Sequence, residues 1–170
     1  MLQDPYEELA ERMIVLSLVG EAAPKYLGPR DAARFAPAIA YAAASPMHDE
    51  RQLRRHLMDM PAEVAGLFTD PLVRQLTTAN PEDMAAGGAI GAALDVLSSC
   101  SVVGMRQDPV YFTEAIAGWL GINQQDLSLP PDFPRVPPLA AMLRESKMVD
   151  DLLERDLEVF YAVKNAYGSE

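Results

Sequence analysis

Apolar side chains recur every three or four residues along most of this chain, and no stretch alternates polar and apolar positions convincingly. That periodicity is helical. Tyr6, Leu9, Met13 and Leu16 line one face of a first helix predicted from about Pro5 to Val19. A second is predicted from about Arg30 to Ala44, kinked at Pro37 because proline removes a backbone donor. A third runs from Pro46 to Met58, followed by short helices near Pro61 to Phe68 and Pro71 to Thr78. A Gly/Ala-rich helix is expected from about Pro81 to Val103, and another from Pro109 to Leu120, stopped by Gly121. One helix or a pair closes the chain between about Leu139 and Ala166.

Local signals support these starts. Asp4-Pro5, Ser45-Pro46, Asp70-Pro71, Asn80-Pro81 and Asp108-Pro109 each set a capping side chain before a proline. The cap oxygen accepts from a free first-turn N–H, and the fixed φ of proline suits the first helical position. The fold expected is an all-α, single-domain bundle of about seven or eight short helices around the Gly/Ala helix. A Pro-rich connector is expected at about residues 128–138, since "SLPPDFPRVPPLAA" does not read as regular helix, and an amphipathic C-terminal segment at about 139–167. Pro131, Pro134 and Pro137 recur at the period of polyproline II, which suits a stiff connector or a ligand for an aromatic groove.

The stretch "NPEDMAAGGAIGAALDVLSSC" invites three readings. Gly87, Gly88 and Gly91 fit neither phosphate-loop pattern, and no lysine follows them. Met84 to Met105 carries a single charge, Asp95, but is made largely of Ala, Gly and Ser and lacks a basic flank, which argues against a membrane span. Close helix packing remains, with Gly87 and Gly91 four apart, the helix central and most buried, and Asp95 needing a partner inside it.

Charge narrows the partners. The net charge of −11 speaks against direct binding to nucleic acid or to an anionic membrane, and allows a basic protein partner. Cys100 is the chain's one cysteine and cannot form an internal disulfide, and the acidic N-terminus lacks a signal-peptide pattern, so a cytoplasmic location is expected. The composition leaves homo-oligomerisation open.

No catalytic, cofactor or metal set emerges. His48 and His56 are eight residues apart, too far for a His-x-x-x-His pair. Cys100 and its neighbouring serines lack an activating base in sequence. Arg51 and Arg55 share a helix face as a basic patch, with Glu50 and Arg54 placed to pair. In the C-terminal segment Val149, Leu153, Phe160, Val163 and Tyr167 form an apolar stripe, and Asp150, Asp151, Glu154, Asp156 and Glu158 fall largely outside it. Phe160, Tyr161 and Tyr167 supply more aromatic surface than one buried stripe needs, so this segment with Arg51 and Arg55 is the expected partner-binding region. Phe112, Ile116, Trp119 and Leu120 read as core. The function expected is an acidic helical interaction module: an adaptor, chaperone, immunity protein or accessory subunit. The alternatives are an enzyme or small-molecule binder with a site near Asp95, and a nucleic-acid mimic that occupies a basic protein.

Overall fold

The helical periodicity is realised as an all-α structure. The computed structural model describes residues 1–79, 83–129, 131 and 133–167. Among them no strand occurs beyond one isolated bridge between Leu2 and Met105. The α-helices in chain order are α1 (Pro5–Val19), α2 (Ala23–Leu27), α3 (Pro29–Ala44), α4 (Glu50–Met58), α5 (Ala62–Phe68) and α6 (Pro71–Thr77). They continue as α7 (Ala89–Ser99), α8 (Pro109–Leu120), α9 (Val136–Arg144), α10 (Lys147–Leu152) and α11 (Glu154–Tyr167). The protein is all-α. Two units divide the chain: a first of Tyr6–Pro71 and Phe133–Glu154, and a second of Met1–Pro5, Leu72–Asp132 and Arg155–Glu170.

In the first unit the expected face of α1 is buried, with Leu9 and Met13 fully so. Pro37 lies inside α3, which continues through it. Tyr41 on α3 stacks on His56 of α4 with ring centroids 4.1 Å apart. Its hydroxyl donates to the His56 carbonyl at 2.8 Å, and His56 Nε2 lies 3.3 Å from the Tyr41 carbonyl. Burial pushes the Tyr41 phenol well above its ordinary value, and the negative charge of Asp59 adds to the rise.

Two boundaries differ from expectation. The third helix begins at Glu50 rather than Pro46, because Asp49 is its cap: the Asp49 carboxylate accepts the Gln52 backbone N–H at 2.9 Å. That hydrogen bond holds the Asp49 carboxyl below the usual range. Ser45 closes α3 instead, donating its hydroxyl to the Tyr41 carbonyl at 2.9 Å. The Pro-rich connector also stops early. Pro137 and Pro138 sit in the first turn of α9, where a missing N–H breaks no intrahelical bond. Leu139, Ala140 and Leu143 then face the core.

The second unit centres on Val73, Ala89, Ala93, Leu97, Met105, Val159 and Phe160, with Leu2 among them. Leu2 is pinned by its N–H to the Gly104 carbonyl at 2.6 Å and by its carbonyl to the Arg106 N–H at 2.7 Å. Asp156 on α11 is fully buried. Its carboxylate accepts the N–H groups of Leu72 and Val73 at 2.9 and 2.8 Å, the first-turn amides of α6. Asp156 therefore caps a helix far away in sequence and is no part of a solvated acidic face.

The Gly/Ala helix departs most from expectation. It begins at Ala89, after Gly88 in the left-handed region at φ 80°, and Gly87 lies in the turn before it. The Asn80-Pro81 start lies outside the described residues. Only Ala89, Ala93 and Leu97 of this helix are buried. Gly91 and Asp95 are exposed, and a Cβ built on Gly87 or Gly91 would meet nothing within 4 Å. Gly87, Gly91 and Asp95 therefore make no close helix packing. Once the helix is eleven residues long, one narrow alanine stripe suffices to seat it.

Candidate interaction surface

The α8 segment, PVYFTEAIAGWL, carries one charge, Glu114. Its ends are well defined. Asp108 accepts the Tyr111 N–H at 3.2 Å, Pro109 takes the first helical position, and Gly121 at φ 68° closes the helix. Ile122 then donates its N–H to the Ala117 carbonyl at 3.1 Å. Beyond the cap, Gln124 folds back, donating its side-chain amide to the Val110 carbonyl at 3.2 Å and to the Thr113 hydroxyl at 2.9 Å.

A helix this apolar is expected to be covered on most sides. It is not. Ala117 is its one buried residue, while Phe112 and Ile116 are half-buried. Val110 is 64% exposed and Trp119 65%; Tyr111, Leu120 and Ile122 are exposed as well. Positions 110, 111, 114, 118 and 119 form an exposed stripe about half the circumference of α8 wide, with Leu120 off to its side and exposed Ile122 beyond the Gly121 cap. Glu114 lies within the stripe, and exposed Asp108 and Asp126 flank it in sequence. Tyr111 meets the ring of Tyr167 edge-on at 5.4 Å, and the Tyr167 hydroxyl donates to the Val103 carbonyl. Trp119 and Leu120, expected in the core, instead face solvent.

An open, almost wholly apolar groove of about 560 Å³ occurs in the first unit, where Ala33, Ala36, Ala40 and Ala43 of α3 face Gly20 and Pro24. Its volume is that of many small-molecule sites.

The residues expected at a partner site divide between the two units. In the first unit, Arg51 and Arg55 are exposed on α4, and Arg54 pairs with Glu50 at 3.0 Å. Asp150 accepts the Tyr6 hydroxyl at 2.7 Å. Asp151 pairs with Lys147 at 3.0 Å, and that hydrogen bond raises the lysine's pKa. Glu154 is exposed. In the second unit, Tyr161 is exposed and Tyr167 half-buried, but Phe160 is only 2% exposed and belongs to the core. Phe160 therefore offers no surface to a partner. It packs in the second unit's core with Val73 and Val159, which is why it is buried.

Sequence periodicity missed the α8 stripe, although a signal was present. The helix is apolar around most of its circumference, more than one core can cover. Among the described residues no group of three or more His, Cys, Asp or Glu could hold a metal ion, and no helix is long and apolar enough to cross a membrane. The chain matches no protein-family model, no curated protein and no solved structure.

Proposed function

We propose that this protein acts by binding a protein partner, as an acidic helical interaction module. The observation that carries this reading is the exposed apolar stripe of α8, with Val110, Tyr111, Trp119 and Ile122 open to solvent. Contiguous apolar surface of that kind marks interaction sites in soluble proteins, and aromatic anchors such as Tyr and Trp dominate binding energy where they are found. The net charge of −11 keeps such a surface soluble and favours a basic partner. The rival site near Asp95 loses its motivation, since Asp95 is exposed on α7 rather than enclosed among polar groups.

The test compares tagged wild-type protein with Trp119→Ser, each recovered from source lysate at low and high salt. A stoichiometric partner held by the wild type and lost from the variant supports the module. Recovery of no stoichiometric partner at either salt defeats it.

A further inference from the structure

Resting on that reading, we infer that the α8 stripe receives an amphipathic helix of basic character, and that Glu114 selects its charge. Val110, Tyr111 and Trp119 are large exposed side chains on α8, and exposed Ile122 follows its Gly121 cap. An amphipathic helix laid against such an apolar surface presents its own apolar residues at spacings of three and four.

Glu114 decides the partner. It is exposed within the stripe and engages no other side chain in an ion pair among the described residues. An apolar partner covering it would strip water from a carboxylate, a cost offset only by a cation brought to the same place. The second unit itself has little to offer. Its cations are Arg74, Arg106, Arg155 and Lys164. Arg74 is buried, its Nε donating to the Asp83 carbonyl at 3.2 Å, and Arg155 donates to the Ala85 carbonyl at 2.7 Å. Among the described residues of this unit, Lys164 is the exposed cationic side chain, against exposed carboxylates at Asp83, Asp95, Asp108, Glu114, Asp126 and Glu158. The second unit thus offers Glu114 few cations of its own.

The same charges argue against other occupants. A second copy would set one Glu114-bearing stripe against another and bring no cation, since a two-fold interface is self-complementary. An anionic lipid surface would be repelled. A Lys- or Arg-bearing amphipathic helix answers both the apolar face and the carboxylate.

Trp119 is the chain's one tryptophan, so its fluorescence reports this surface alone. The full-length protein is titrated with a tryptophan-free Leu/Lys amphipathic peptide and with a Leu/Glu peptide of the same apolar stripe. The Leu/Lys peptide is expected to shift Trp119 emission to the blue, saturably and at least about tenfold more tightly than the Leu/Glu peptide, the value of one modest charge contact. Glu114→Lys, an exposed substitution checked for helicity by circular dichroism, should reverse that preference. Equal binding of both peptides, or a preference unchanged in Glu114→Lys, overturns the inference. So does a blue shift that grows with protein concentration alone, or one given by zwitterionic vesicles in place of the peptide. A stoichiometric partner that Trp119→Ser still retains would also overturn the docking surface while leaving the protein-binding reading intact. Absence of any partner defeats that broader reading first.

Discussion

Removing the Asp156 carboxylate should cost this protein more than any change on its acidic surface. The side chain is fully buried on α11 and accepts two backbone N–H groups, from Leu72 at 2.9 Å and Val73 at 2.8 Å. Both belong to the first turn of α6, where no intrahelical acceptor exists. Hydrogen bonds to a charged acceptor contribute about 1.5 to 3 kcal/mol each, and desolvation of the carboxylate takes back part of that sum. Asp156→Ala leaves two amides unsatisfied in the interior, so a net loss of about 3 kcal/mol is expected. Asp156→Asn keeps one acceptor but turns its amide donor toward the other N–H, and should lose about 2 kcal/mol. In a chain of this length each kcal/mol moves the melting temperature by about 2 to 4 °C, so Asp156→Ala should melt about 6 to 12 °C lower. Loss of helical circular dichroism reads the melting, since the described residues are all-α. Melting of Asp156→Ala within about 1 °C of wild type would mean that the desolvation cost cancels both bonds, and the reasoning would fail.

Three further outcomes follow from local geometry. Gly104→Ala should destabilise by about 1 to 3 kcal/mol in urea denaturation, because its Cβ would stand 2.6 Å from Cβ and Cγ of Phe112, atoms near the ring's root that cannot swing aside. Gly91→Ala should stabilise by up to about 1 kcal/mol, since the site is helical, exposed and empty, whereas Gly88→Ala should destabilise by about 1 kcal/mol at φ 80°; equal effects would refute the assignment of the α7 start. For Tyr41, the folded pKa is raised above the ordinary value of 10.0, so stability is retained below pH 10 and falls as pH rises beyond it, by about 1.4 kcal/mol per unit. Tyr41→Phe should remove that alkaline decline while losing about 1 kcal/mol at neutral pH, read from denaturation midpoints across pH.

Helix existence was legible because it rests on local rules. The α1 face, the α8 boundaries and the Gly121 stop are all written within a few consecutive residues, and each falls where periodicity and capping put it. Caps made across the chain were not legible. Asp70-Pro71 reads as a self-sufficient helix start, yet the N–H groups of Leu72 and Val73 are satisfied by Asp156, a residue whose neighbours in sequence suggest solvent. Ser45 and Asp49 show the same limit at short range. Either could cap α4, and the choice is made by the Tyr41 carbonyl, which claims Ser45 for the end of α3.

The surface was harder still, because burial depends on how much apolar area the fold can cover rather than on how much the sequence carries. Phe160 and Trp119 are both large aromatics on helices; surplus aromatic surface assigns the first to a partner, and an apolar setting assigns the second to the core. The structure reverses them: Phe160 closes on Val159 and Val73 in the core, whereas Trp119 stands on a helix with a single buried alanine. A small unit has room for few covering elements, and its surplus apolar surface stays outside. On α8 that surplus includes Tyr111 and Trp119, stiff side chains that lose little conformational freedom on contact. Under the proposed docking, an occupant that covered Glu114 would have to meet its carboxylate with positive charge or bear the cost of stripping its water.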